Sequence, residues 1–276
     1  MTPIYIAVTV VCAVVAAGLV IWFVLFSNNS LTVSRYNVKM PSAPESPVHI
    51  VHLSDIHGKS FGKGNARLLA KVKALCPDLI AYTGDIIHVY DKKDIKRALA
   101  LVKELSAIAP VLYVSGNHEM RGKKYRAFAA QLEDAGAIVL DDRFIAVKGI
   151  TVAGLNASHL RNNKIYQITP RGGSFKLLLA HEPQFLIKYA RAGYDLALCG
   201  HAHGGQWRLP FAKKGLYAPG QGIFPEYTSG RHICGATQMI VSRGLGNSEF
   251  PLRLFNRPEI VIITVERGGN SERSKM

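Results

Sequence analysis

Apolar positions along this chain fall into two regimes. From Ile4 to Phe26 almost every residue is apolar, and no charged side chain occurs before Arg35. A run of that length crosses a hydrocarbon core of roughly 30 Å as a helix, so a single N-terminal transmembrane helix is expected over residues 1–28. It lacks the basic flank, the shorter apolar core and the small-x-small site of a cleaved signal peptide. Pro41, Pro44 and Pro47 punctuate the polar stretch that follows, which reads as a short, stiff linker over 29–47. A globular domain is expected over 48–266, and residues 267–276 read as a disordered tail.

Inside the domain the pattern alternates between strand and helix periods. His49 to Leu53 and Asp78 to Tyr82 are apolar runs of strand length, and between them Leu68, Leu69, Val72 and Leu75 recur at helical spacing over Asn65 to Leu75. A helix from Asp91 to Ile108, a strand from Val111 to Val114 and a helix from Lys123 to Ala135, ended by Gly136, complete a β-α-β-α-β series. Beyond Gly136 the spacing shortens, and Ile138 to Leu140, Phe144 to Val147 and Ile150 to Ala153 read as consecutive strands joined by tight turns. Phe175 to Leu179, a helix from Pro183 to Ala192 and a strand ending at Cys199 form a second half. The last third is rich in Gly and Pro, with strands at Gln238 to Ser242 and Glu259 to Val265. Such alternation predicts an α/β fold.

Polar clusters follow five of these apolar runs directly. They are Ser54-Asp55-Ile56-His57, Thr83-Gly84-Asp85, Ser115-Gly116-Asn117-His118-Glu119, His181-Glu182 and Gly200-His201-Ala202-His203. Ligands of α/β sheets bind beyond the carboxyl ends of strands. Singly, each cluster has a bland reading, since Asp or Asn after a strand caps a helix or makes a turn. Capping has no use for histidine, yet four of the five clusters contain it. Oxygen and imidazole ligands without thiolate suit divalent Mn, Fe, Zn or Ni. Asp55, His57, Asp85, Asn117, His181, His201 and His203 together exceed the roughly four protein ligands of a tetrahedral zinc, so two divalent metal ions are expected. Asp85 is the natural bridge, because a carboxylate shares its oxygens between cations roughly 3.5–4 Å apart, and such a pair makes a hydroxide available near neutral pH. His118 is left over as the histidine without a metal role.

Charge narrows the partners. The 276 residues carry 34 Lys and Arg against 19 Asp and Glu, a net +15, which favours phosphorylated substrates, nucleic acid or an acidic membrane surface. No strip of alternating aromatic and basic residues marks a nucleic-acid path, so no specific nucleic acid is expected. Arg121, Lys123, Lys124 and Arg126 after the third cluster suit either an anionic substrate or a solvated helix face. Trp207, Leu209, Phe211, Leu216, Tyr217, Ile223 and Phe224 interleave with Arg208, Lys213 and Lys214, a mixture that suits a membrane interface or the cover of a sheet. Cys12, Cys76, Cys199 and Cys234 show no paired spacing and read as buried small residues. Arg35 and Lys39 behind the apolar helix favour a cytoplasmic domain.

In this order, Asp-x-His, Gly-Asp, Gly-Asn-His-Glu, His and Gly-His-x-His resemble the calcineurin-like metallophosphoesterase superfamily, over about Val48 to Val265. Gly204-Gly205-Gln206 with Leu209-Pro210, and Ser242-Arg243-Gly244-Leu245-Gly246 with Pro251, Arg253 and Pro258-Glu259-Ile260, are similar to its membrane-associated branch related to UDP-2,3-diacylglucosamine pyrophosphatases. That resemblance implies a four-layer αββα sandwich of two mixed sheets and two divalent cations, Mn favoured over Fe or Zn. It implies Asp55, His57, Asp85 and His203 as ligands of one metal and Asp85, Asn117, His181 and His201 as ligands of the other. His118 resembles the catalytic histidine that protonates the leaving oxygen or stabilises phosphoryl charge, with Glu119 orienting it. His88 departs from the branch, whose members often carry Asp there. The expected activity is hydrolysis of a phosphoester or pyrophosphate bond at a membrane surface, on a phosphorylated small-molecule or lipid-linked substrate. A nucleic-acid or nucleotide phosphodiesterase stays open, as does a metal-binding scaffold without chemistry; the intact His118 and Asp85 favour an enzyme.

Overall fold

Almost all of the predicted apolar runs are strands of two sheets. The computed structural model describes residues 3–268 apart from 122, 160–163, 211–214 and 248–249. In chain order the strands are β1 (Thr32–Met40), β2 (Val48–Leu53), β3 (Leu79–Thr83), β4 (Val111–Val114), β5 (Ala137–Val139), β6 (Arg143–Val147), β7 (Ile150–Gly154), β8 (Lys176–Leu179), β9 (Leu196–Cys199), β10 (Tyr217–Ala218), β11 (Gly222–Ile223), β12 (Gly230–Cys234), β13 (Thr237–Val241) and β14 (Glu259–Arg267). The helices are α1 (Pro3–Asn29), α2 (Ala66–Ala74), α3 (Lys92–Ser106), α4 (Tyr125–Asp134), α5 (Lys164–Ile168) and α6 (Leu186–Arg191). One six-stranded sheet has the order β1-β14-β2-β3-β4-β5 and the other β12-β13-β9-β8-β7-β6. Both are mixed: β2 to β5 are parallel with β14 antiparallel to β2, and β7, β8, β9 and β13 are parallel between the antiparallel edges β6 and β12.

Three cores separate four layers. Ile50, Leu79, Ala81, Leu112 and Val114 of the first sheet meet Val152, Leu177, Leu179, Leu196, Leu198 and Ile240 of the second. The other face of the first sheet, with Val51, Leu53, Ile80 and Tyr82, packs on Leu68 and Val72 of α2, Leu101, Val102 and Leu105 of α3, and Phe128 and Leu132 of α4. Leu178, Ala197 and Met239 on the far face of the second sheet pack on Ile165 and Ile168 of α5 and Leu186 and Tyr189 of α6. Strands buried on both faces are largely apolar, which is why β3, β4 and β9 stand out as runs, as do β8 after Lys176 and β2 apart from His49 and His52. This is the αββα sandwich that the motifs implied.

Three expectations need correction. Residues 29–47 are not a linker: β1 pairs in parallel with β14 from Thr32↔Glu259 to Met40↔Arg267. Its Val38 and Met40 point into the core between Arg35, Asn37 and Lys39, and such an alternating edge strand has too few apolar residues to stand out. The domain therefore begins at Thr32, and the three prolines lie between β1 and β2. Of the strands after Gly136, β6 and β7 are the expected antiparallel neighbours joined by a tight turn, but β5 is not next to β6, because β5 ends the first sheet and β6 begins the second. Among the cysteines only Cys199 is buried; Cys12 and Cys76 are exposed and Cys234 is half-buried. Of the expected disordered tail, residues 269–276 lie outside the described residues.

Helix α1 is long and apolar enough to cross a membrane, with exposed flanks until Ser27 and Asn28 are buried against the domain. A secretory signal meets the same criteria of length and composition.

Candidate metal centre and active site

All seven predicted ligands meet in one pit where β2, β3, β4, β8 and β9 end. His57 Nε2 lies 3.2 Å from His203 Nε2, which is 3.5 Å from Asp55 Oδ1. These three residues form one group with ligand atoms within 4.8 Å of one another, and Asp85, His181 and His201 form a second. In the second group His181 Nε2 lies 3.3 Å from Asp85 Oδ2, 3.1 Å from His201 Nδ1 and 3.0 Å from Asn117 Oδ1. Asp85 Oδ2 also lies 3.7 Å from His57 Nε2. Its carboxylate thus faces both groups.

Backbone strain is concentrated on the same residues. Asp55 (φ 53°), His57 (48°), Asp85 (55°), His201 (67°) and His203 (48°) are all left-handed, a conformation that costs a non-glycine residue on the order of 1–3 kcal/mol. Hydrogen bonds between the loops hold it: Asp55 N donates to Gly84 O at 3.0 Å, His57 N to Asp85 O at 3.1 Å, and His201 N to the Asp55 carboxylate at 3.1 Å. Glycines supply the close approach. A Cβ on Gly116 would overlap Asp85 Oδ1, and one on Gly200 would overlap Ser54 Oγ and Asp55 Oδ2.

The donor set fits divalent cations. His57 Nδ1 and His203 Nδ1 are buried without a hydrogen-bond partner among the described residues, so no pair of tautomers satisfies all four ring nitrogens, and the two Nε2 atoms, 3.2 Å apart, face each other where a cation could take both lone pairs. Burial holds His57 and His201 down to about 3, and His203 well below its ordinary value, so all three are neutral and free to donate a lone pair. Burial pushes the Asp55 carboxyl up to about 6, with Asp85 adding to the effect against the pull of His181. Asp85, despite its burial, is held well below the carboxylate range by His181, His57 and His118. Burial likewise opposes a charge on His181, yet Asp85 and Asp55 outweigh it and raise the imidazole to about 10. Its proton sits where a cation would otherwise balance those carboxylates.

His118 stands beside the pit. Its N donates to Asp85 Oδ1 at 2.9 Å, and its Nδ1 lies 2.9 Å from the carbonyl oxygen of His88. A carbonyl only accepts, so Nδ1 bears the proton of the neutral ring and Nε2, 4.0 Å from Asp85 Oδ2, is free for chemistry. Burial lowers its pKa while Asp85 opposes that shift. Glu119 does not orient His118. Its buried carboxylate accepts from the amides of Asp85 and Gly116 at 2.8 Å and of Ile87 at 3.2 Å, bracing the metal loop.

Several supports escaped the sequence. Asp94 Oδ2 accepts from the amides of His88 and Val89 at 3.3 and 3.4 Å, holding the loop that holds His118. Asn256 Nδ2 donates to His203 O at 2.7 Å, and buried Arg253 donates to the carbonyls of Gly246 and Arg243. An acid within the first turn of α3, directly behind the cap Asp91, was the one available signal for Asp94. Of the histidines outside the motifs, His52 is buried on Thr83 Oγ1 at 2.8 Å. Arg121, Lys123, Lys124 and Arg126 are a solvated face. Leu209, Leu216, Tyr217, Ile223 and Phe224 are exposed and do not cover the second sheet; Phe211, Lys213 and Lys214 lie outside the described residues.

A hydrolase with a metal-binding pit at the strand ends of an αββα sandwich is the class that this geometry defines. Residues 48–205 match the family of calcineurin-like phosphoesterases, and the chain belongs to that family. It is 30% identical over 227 residues to the metallophosphoesterase YkuE of Bacillus subtilis, covering 79% of this chain and 78% of that one. Identity to the phosphodiesterase YaeI of Escherichia coli is 28% over 230 residues, covering 79% and 82%. A Bos taurus transmembrane protein with a metallophosphoesterase domain is 25% identical over 255 residues, covering 80% and 56%. The protein is a metal-dependent phosphoester hydrolase.

Proposed function

We propose that this hydrolase is dinuclear and membrane-anchored, and that it cleaves a phosphoester or pyrophosphate bond in an amphipathic or lipid-linked substrate. The observation that carries the reading is the carboxylate of Asp85 between two groups of donors. Asp55, His57 and His203 complete one site around it; Asn117, His181 and His201 complete the other. Divalent cations there supply charge neutralisation and an activated water, and Mn suits an oxygen and imidazole set. The chain's own contribution lies in positioning. His118, pinned through Nδ1 to the His88 carbonyl, presents Nε2 to the leaving oxygen and as the imidazolium can protonate it.

Support for anchoring comes from the end of α1. Asn28 Oδ1 accepts from Arg253 N at 2.9 Å, Lys59 Nζ donates to Asn28 O, and Arg67 donates to Asn29 O at 3.1 Å. A leader destined for removal has no need of such a joint. The Bos taurus relative is named as a transmembrane protein, which points the same way. Arg35 and Lys39, the first charges behind the helix, favour a cytoplasmic domain, so a tag after Met276 should resist protease added to intact cells. Exposed Leu209, Ile223 and Phe224 close to His203 in sequence favour a membrane-borne substrate.

Metal analysis tests the core of this reading. The purified chain should hold close to two divalent ions, chelation should abolish hydrolysis of p-nitrophenyl phosphate, and Asp85→Asn should lose both metal and activity. Activity surviving chelation and that substitution would rule out the dinuclear site.

A further inference from the structure

A cleft of about 310 Å³ opens beside the pit, lined by His57, Lys59, His88, Asn247 and Pro251. His57 belongs to both spaces, and the His88 ring lies 5.6 Å from that of His57 and 5.1 Å from that of His118. The cleft therefore begins where the reacting phosphate ends. Its other wall is the joint with the apolar helix: Lys59 Nζ donates to Asn28 O and to Asn247 Oδ1 at 3.4 Å, and Asn247 Nδ2 donates to Pro251 O at 2.8 Å and to Asn28 Oδ1 at 3.4 Å. An ammonium has three protons to donate. Two are engaged, and Nζ also lies 5.3 Å from the centre of the Phe61 ring; burial, with Arg253 adding to it, lowers the Lys59 pKa to about 7, and among the described lining residues none is acidic.

The same wall leads to the bilayer side of the molecule. Past Asn247, exposed Phe250 packs on Trp207 with ring centres 5.3 Å apart, and exposed Phe255 packs on Phe23 of α1 at 4.9 Å. Asn28 follows Phe26 by two residues, a rise of about 3 Å along the helix axis. Lys59 thus sits at the depth where a helix leaves hydrocarbon, and there a long cation meets anionic headgroups.

We propose that this cleft is a recognition subsite for a second anionic group, a phosphate joined to the scissile one, on a substrate presented at the end of the apolar helix. The inference rests on the hydrolase reading above. Lys59 supplies the charge, His88 supplies a hydrogen bond, Asn247 holds Lys59 in place, and the pit takes the scissile phosphate. A single-phosphate ester fills the pit alone; a diphosphate fills pit and cleft.

Competition against p-nitrophenyl phosphate hydrolysis tests this, using the full chain in anionic nanodiscs with Mn. Decyl diphosphate, methyl diphosphate and decyl phosphate serve as inhibitors. Wild-type protein should bind the diphosphates more tightly than the monophosphate. Lys59→Met should weaken the diphosphates about tenfold or more, the loss expected for a charge-assisted contact, and the monophosphate much less. His88→Ala keeps the carbonyl that holds His118 and should show the same selective loss, so the test survives a failure of Lys59→Met to fold. Tighter competition by decyl than by methyl diphosphate assigns the subsite to a membrane-borne substrate, and equal competition assigns it to a soluble diphosphate. Equal weakening of mono- and diphosphates in both variants, or no weakening in either, would overturn the subsite. Metal content close to two ions per chain with no p-nitrophenyl phosphate hydrolysis in wild-type protein would instead indict the hydrolase reading.

Discussion

At the scale of the residue, the proposed function gives His118 a part in the chemistry and none in metal binding. Its nearest contact to a carboxylate oxygen through Nε2 is 4.0 Å, and its Nδ1 is committed to the His88 carbonyl, so His118→Ala should keep both metal ions and lose about 100-fold or more in rate. Loss of metal in that variant would make it a ligand instead. His52 offers a second test. Burial holds its imidazole down to about 3 from an ordinary 6.5, so below pH 6.5 the unfolded chain takes up a proton that the fold refuses. The stability from a neutral His52 is present above its unfolded pKa and is lost as pH falls from there toward 3, with a slope of up to about 1.4 kcal/mol per pH unit. His52→Val should flatten the fall in urea-unfolding stability between about pH 6 and pH 4, measured on metal-free protein; an unchanged slope would place the proton uptake elsewhere. The candidate ligands were legible because metal chemistry restricts them to a few residue types at strand ends. The role of Glu119, and Asp94 and Asn256 altogether, were not, because each acts on backbone amides or carbonyls, and a backbone group leaves no mark in the sequence.

At the scale of the element, β1 decides where the protein can be cut. It supplies a nine-residue parallel partner to β14 and buries Val38 and Met40, side chains worth roughly 1.5–3 kcal/mol each. A chain beginning at residue 41 also bares the β14 edge, an unpaired row of amides and carbonyls that invites association. Such a piece should melt about 10 °C or more below one beginning at residue 30, or be recovered as aggregates. Equal melting temperatures would show that β1 is dispensable. The elements that were legible are those buried on both faces, since their composition has to be apolar. Edge strands β1 and β12 alternate polar and apolar residues, and the partner of β1, β14, lies far along the chain. The crossing from β5 to β6 was hidden for another reason: periodicity reports that a segment is a strand, but says nothing about which sheet receives it.

At the scale of the whole molecule, the joint between α1 and the domain sets how the pit would face a membrane crossed by α1. Asn28 is clamped to Arg253, Arg257 lies over the Phe26 ring at 5.1 Å, and Phe255 packs on Phe23, so α1 is joined to the domain by packing as well as by the chain between them. An anchored helix held this way brings Phe250, Phe255 and Leu209 against one leaflet, and a net charge of +15 favours an anionic surface. The chain has two tryptophans, Trp22 in the helix and Trp207 beside Phe250. In a Trp22→Phe variant, Trp207 becomes the sole reporter of domain depth. Reconstituted into anionic vesicles, its fluorescence should be quenched more by bromines near the headgroup end of the acyl chains than by bromines at the bilayer centre, because an indole ring at a membrane interface settles at headgroup depth. Phe250→Ser with Leu209→Ser should weaken that quenching while the helix keeps the protein in the membrane. Trp207 open to aqueous acrylamide and untouched by either bromine would mean that the domain stands off the bilayer, and the substrate would then have to leave the membrane to reach the pit.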